Sequence, residues 1–97
     1  MKNIVFLEND NRKVVLHLYD GRKEEFYGSL KEVYEEQLKE RDFLFIHNSY
    51  VVNYDYVAAL KFDQVLLIDN AVPLPISKQK KNEVRAAYYE IVKRRDV

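Results

Sequence analysis

The stretch Phe43-Leu44-Phe45-Ile46-His47-Asn48-Ser49-Tyr50-Val51-Val52-Asn53-Tyr54-Asp55-Tyr56 decides the architecture. Phe43 to Ile46 and Tyr50 to Val52 are short, β-branched and aromatic runs, and the polar Asn48-Ser49 lies between them, which is the pattern of two strands joined by a turn. Working backward, Ser29 precedes Leu30, with Glu32 three residues after it, the spacing of a helix capping box. Leu30, Val33, Tyr34 and Leu38 then recur at helical spacing, so an amphipathic helix is expected to end near Arg41. Further back, Val14 to Tyr19 and Arg22 to Tyr27 flank Asp20-Gly21, a pair suited to a two-residue type I′ hairpin turn. Ile4 to Glu8 reads as a first strand, and Asn9 to Lys13 as a loop.

Working forward, Leu60 to Phe62, Val65 to Asp69 and Val72 to Ile76 form a second series of strands, with turns at Asp63-Gln64 and Asp69-Asn70. Pro73 and Pro75 lack an amide donor, which places the last strand at a sheet edge. Ser77 can cap a final helix whose apolar stripe is Val84, Ala87, Tyr88, Ile91 and Val92. The expected class is mainly β, with seven or eight short strands, one short mid-chain helix and one C-terminal helix, over a single domain spanning residues 1–97.

Composition narrows the chemistry. The 97 residues contain no Cys, which removes thiol nucleophiles, disulfide frameworks and thiolate zinc sites. No apolar run reaches the roughly 18 residues of a membrane span, and no secretion signal opens the chain, so a cytoplasmic location without membrane partners is expected. His17 and His47 are the two histidines. His17 alternates with Leu16 and Leu18 along a strand and reads as structural; His47 has no carboxylate close in sequence to orient it as a base. Gly21 and Gly28 stand alone, so no phosphate loop is present. Catalytic residues, a metal site, a cofactor and a small-molecule substrate are all unexpected.

Charge is unevenly spread. Formal net charge is zero, yet residues 1–77 carry 9 Lys/Arg against 13 Asp/Glu, a net −4, whereas residues 78–97 carry 7 against 3, a net +4. A basic tail on an acidic body suits either a solvated helix or a contact with polyanions. A helix-turn-helix is not found, because the one well-capped internal helix is followed by strands. The thirteen Tyr and Phe lack an RNP-type pattern and sit at core-like periods.

Phe45, His47, Ser49, Tyr50, Val52, Asn53 and Val57, taken with Leu74-Pro75-Ile76-Ser77, resemble the signature of the LytTR family of bacterial DNA-binding domains. The hairpin, Phe26-Tyr27-Gly28 and the Ser29-Leu30 helix start fit the same family, so the resemblance covers practically the whole chain. It implies an elongated arrangement of small antiparallel sheets that binds duplex DNA through loops, usually as the output half of a response regulator in a two-component system. Positions carried over from the family are Asn48, after the signature His; Gln79, where the family often has Arg; and Arg12 or Lys13 in the first loop. Lys78 and Lys80 flank Gln79 as phosphate contacts, with Lys81 and Arg85 further out. His47, Ser49 and Asn53 read as the scaffold that fixes the Asn48 loop. A second copy on tandem sites is a further implied partner. The alternative is a protein-interaction module on the same fold that has lost DNA binding, which the acidic body and Gln79 favour.

Overall fold

The computed structural model describes residues 3–68 and 72–96. Strands β1 (Ile4–Asp10), β2 (Lys13–Leu18), β3 (Lys23–Tyr27), β4 (Phe43–His47) and β5 (Tyr50–Asn53) form one antiparallel sheet in the order β3-β2-β1-β5-β4. Strands β6 (Val57–Leu60), β7 (Gln64–Leu67) and β8 (Leu74–Pro75) form a second, in that order. The helices are α1 (Leu30–Val33), continued by a wide π turn and a 3-10 turn to Arg41, and α2 (Lys81–Arg95). Together they make a body of 36 × 28 × 24 Å. No helix among the described residues is long and apolar enough to cross a membrane.

Strand periodicity explains the layering. Successive side chains of a strand point to opposite faces, and β4 and β5 are apolar at every position from Phe43 to Ile46 and from Tyr50 to Val52, so both of their faces must be covered. One face sends Phe43 and Val51, with Leu7 and Val14, into a core closed by Leu30 and Leu38 of the mid-chain helical segment. The other sends Leu44, Ile46 and Val52 against Val65, Leu67 and Leu74 of the small sheet and Val84 and Ile91 of α2. Asn53 ends β5 as the buried polar residue among the described positions, 3% exposed. Its Nδ2 donates to the Ile4 carbonyl at 2.8 Å, and its Oδ1 accepts from the Asp55 amide at 3.0 Å.

Several local expectations are corrected. Asn9 to Lys13 is not a loop: β1 and β2 pair up to Asp10 and Lys13, leaving the two-residue turn Asn11-Arg12, whose φ values of 50° and 72° match the left-handed pair that a tight hairpin needs. Asp20-Gly21, conversely, belongs to a three-residue loop. The Leu18 amide donates to Arg22 and the Gly21 amide returns to Leu18, with Gly21 at φ 89°. Strand β6 begins at Val57 and ends at Leu60, so Lys61 to Asp63 are its turn; the Asp69-Asn70 turn lies outside the described residues. Pro75 does lie in an edge strand, β8, although that strand has only two residues.

The helix ends differ in detail as well. Ser29 caps α1 by accepting from the Glu32 amide at 3.3 Å. Ser77 makes no side-chain cap; its carbonyl accepts from the Lys80 amide at 3.0 Å, closing a 3-10 turn at Lys78–Lys80 that delays α2 to Lys81.

The far end of α2 is latched to the large sheet. Asp42, in the left-handed region at φ 61°, accepts from Arg94 and Arg95, and Arg95 also pairs with Asp55 and lies over the Tyr54 ring. Hydrogen bonds from Arg94, then from Arg95, hold the Asp42 carboxyl below its ordinary value of 3.8 despite an opposing desolvation. Because the folded value is the lower one, this stabilisation is complete above the unfolded value and is lost as pH falls through the folded one. Asp42→Asn keeps a residue that tolerates left-handed φ while removing the charge. It is expected to cost about 1 kcal/mol at pH 7 and to flatten the loss of stability below pH 3.8, read by urea unfolding at stepped pH.

Candidate nucleic-acid interface

The β4–β5 connection is a two-residue turn, because His47 pairs with Tyr50. His47 holds it: its Nδ1 accepts from the Ser49 amide at 3.0 Å, while the Ser49 carbonyl accepts from the Asn9 amide of β1 at 2.9 Å. Bonds on both sides of Ser49 therefore fix the backbone that carries Asn48. The Asn48 side chain itself is exposed and makes no hydrogen bond among the described residues, so the turn does not consume its amide. Its donor and acceptor remain available to an outside partner.

Arg12 arrives beside it by a separate route. Its carbonyl accepts from the Gly28 amide at 3.0 Å, which joins the β1–β2 turn to the junction between β3 and α1. The Asn9–Ser49 bond joins the same hairpin to the Asn48 turn, and the Ser77 amide, donating to Ile46 at 2.8 Å, ties the start of the last helical segment to β4. Three backbone ties thus converge segments far apart in sequence on one open concavity of about 790 Å³. Arg12, Asn48 and Lys80 line it together. Tyr34 and Phe45, 5.1 Å apart and tilted, form its aromatic part, and the Lys80 ammonium lies 4.2 Å from the Phe45 ring centroid. Burial, and then the Glu35 and Glu83 carboxylates, push the Tyr34 hydroxyl above its ordinary value.

The remaining sequence candidates separate. Lys13 belongs to β2, with its ammonium 3.1 Å from Glu25 and 5.4 Å from the centroid of the Tyr27 ring. Lys78 and Gln79 are exposed on the 3-10 turn that carries Lys80. Lys81 turns away from Lys80: its ammonium sits 4.1 Å from the Phe62 ring centroid, and it lines a different, small depression together with Arg85. Lys31 lines the large concavity and was absent from the sequence candidates. It reads in sequence as one more charge on a solvated helix face; its place in the first turn of α1, two residues after the Ser29 cap, is the signal that would have distinguished it.

This arrangement offers cationic, amide and aromatic groups on one open surface, the groups used to hold phosphates and read base edges. Residues 1–88 match the family model for the LytTr DNA-binding domain. The chain belongs to the LytTR DNA-binding domain family. No curated protein matches it. Among solved structures, it is similar to a LytTr DNA-binding domain from Bacillus cereus, with 23% identity, a TM-score of 0.74, and coverage of 89% of this chain and 81% of that one. That likeness is one of fold, and it agrees with the two-sheet, two-helix LytTR architecture built up above. The matched 1–88 span contains every candidate contact and stops short of the Arg94–Arg95 latch.

Proposed function

We propose that this LytTR domain is a sequence-specific, duplex-DNA-binding transcription regulator acting in the cytoplasm, either as the output domain of a response regulator or as a free-standing regulator. The supporting observation is the convergence of Arg12, Asn48 and Lys80 on one concavity. Asn48 reads a base edge by its amide, Arg12 takes a phosphate or guanine, and Lys78 and Lys80 neutralise phosphates. Gln79 stands where the family often carries Arg; it can pair with adenine but not form the guanine fork, so the recognised site should differ from that of an Arg-bearing relative. Contacts from separated turns favour bent DNA, which adds a sequence-dependent deformation energy. Residues 1–97 act as one domain in this reading.

A second reading, a protein-interaction module that has lost DNA binding, draws on the zero net charge and on Glu35 and Glu83 beside the same concavity. Fluorescence anisotropy on random duplexes at low salt separates the two. The DNA reading expects binding by about 100 µM, and the interaction module expects none. In the same assay, Lys80→Ala should weaken all duplexes alike and lower the slope of log affinity against log salt by about one. An unchanged slope would remove Lys80 from the phosphate contacts.

A further inference from the structure

Glu83 is the side chain that a surface built only to grip phosphate would not place here. It stands in the first turn of α2, three residues after Lys80 and four after Gln79, and it lines the concavity shared by Arg12, Asn48 and Lys80. The 3-10 turn of Lys78–Lys80 runs directly into α2, so Gln79, Lys80 and Glu83 follow one another along the start of the last helical segment. Yet its carboxylate has neither an ion pair nor a side-chain hydrogen bond among the described residues. Lys80 rests on the Phe45 ring instead, Lys81 lies over the Phe62 ring, and the other carboxylate of the concavity, Glu35, faces Lys39 at 3.5 Å. The charge of Glu83 is still felt across the opening, since it contributes to the raised value of the Tyr34 hydroxyl.

An unpaired carboxylate within a Debye length of phosphates, about 8 Å at physiological salt, weakens every duplex contact unless something on the DNA attracts it. The major groove offers only two such groups, the amino groups of cytosine and adenine. Adenine N6 stands beside the N7 acceptor, which repels a carboxylate, whereas cytosine N4 has no acceptor next to it on its own base edge. Guanine presents O6 and N7, both acceptors, and thymine presents O4. We propose that Glu83 is a specificity-determining residue of this interface, accepting from the N4 amino group of a cytosine in the major groove and rejecting the other bases at that position. This rests on the DNA-binding reading above.

The test is parallel enrichment of bound duplexes from one random pool by the wild-type chain, Glu83→Ala and Glu83→Gln, followed by affinity measurement on the wild-type motif and on a random duplex. The wild type should enrich a motif with a C·G pair at one position. Glu83→Ala should lose preference at that position alone, with discrimination there falling by roughly 5- to 100-fold while binding to the random duplex tightens slightly. Glu83→Gln, which can pair with adenine N6 and N7, should shift the preference toward adenine. If Glu83→Ala enriches the wild-type motif unchanged and tightens on all duplexes by one factor, Glu83 is a general repulsive charge and the proposal fails while the DNA reading stands. A wild-type pool without any enriched motif overturns both. Glu83 is exposed, and unaltered urea unfolding of both variants is the expected control.

Discussion

Asn53→Ala is expected to unfold about 3 kcal/mol more easily than the wild type, a fall of roughly 15 °C in the thermal midpoint of a domain this size. The cost does not come from lost apolar area. It comes from two backbone groups, the Ile4 carbonyl and the Asp55 amide, which the Asn53 side chain satisfies from a position 3% exposed to solvent. Truncation leaves one acceptor and one donor unpaired where water enters poorly, at about 1 to 3 kcal/mol each less whatever relaxation recovers. The bonds also tie the start of β1 to the exit of β5, so the central pair of the large sheet loosens at its end. Asn53→Asp keeps the acceptor for Asp55 but turns a carboxylate oxygen against the Ile4 carbonyl in a buried site, and should be at least as destabilising at pH 7. Equilibrium urea unfolding of both variants is the check; a loss under 1 kcal/mol for Asn53→Ala would show that the two bonds are not what holds this junction.

Asn48→Ala, five residues earlier in the same hairpin, should do the reverse. Its side chain holds nothing in the fold, because the turn is closed by His47 Nδ1 and by the Asn9–Ser49 bond, so the free energy of unfolding should stay within about 0.5 kcal/mol of wild type. Affinity for an enriched target duplex should fall by about 1 to 3 kcal/mol, and affinity for random duplex should barely change. The specificity ratio is therefore the quantity to measure, at fixed salt. If the ratio stays the same, Asn48 is not a base-reading residue.

The opposite fates of two asparagines in one short stretch show how far the residues themselves spoke. The strand-turn-strand at Phe43 to Asn53, the Ser29 cap and the edge position of Pro75 were legible because each follows from a local preference: alternation, a capping hydroxyl, a missing amide donor. The turns were less so. Asn11-Arg12 forms the tight hairpin and Asp20-Gly21 the wider loop, although Asp-Gly has the stronger intrinsic preference, since register across β1, β2 and β3 decides which pair sits at the crossover. The wide turn at Tyr34–Leu38, where the Lys39 amide reaches back to Tyr34, was also hidden, because it depends on Leu38 being drawn into the core beneath. For the candidate site, residue types were readable and company was not. Lys80 and Lys81 are adjacent and chemically alike, yet Phe45 holds one at the concavity and Phe62 holds the other away from it. Lys13 is neutralised by Glu25 on the neighbouring strand, a partner twelve residues distant that only the β2–β3 register supplies.

Everything proposed for DNA requires that the duplex seat itself over the concavity between the β1–β2 turn, the β4–β5 turn and the start of the last helix. Backbone amide shifts of the labelled domain, followed by NMR during titration with a short random duplex at low salt, test this directly. The largest changes should fall at Arg12, Lys31, Asn48, Ser49 and Lys78 to Glu83, with β3 and the Tyr19 to Arg22 loop unmoved. Changes concentrated at Tyr19 to Tyr27 instead, or none at saturating duplex, would contradict the account.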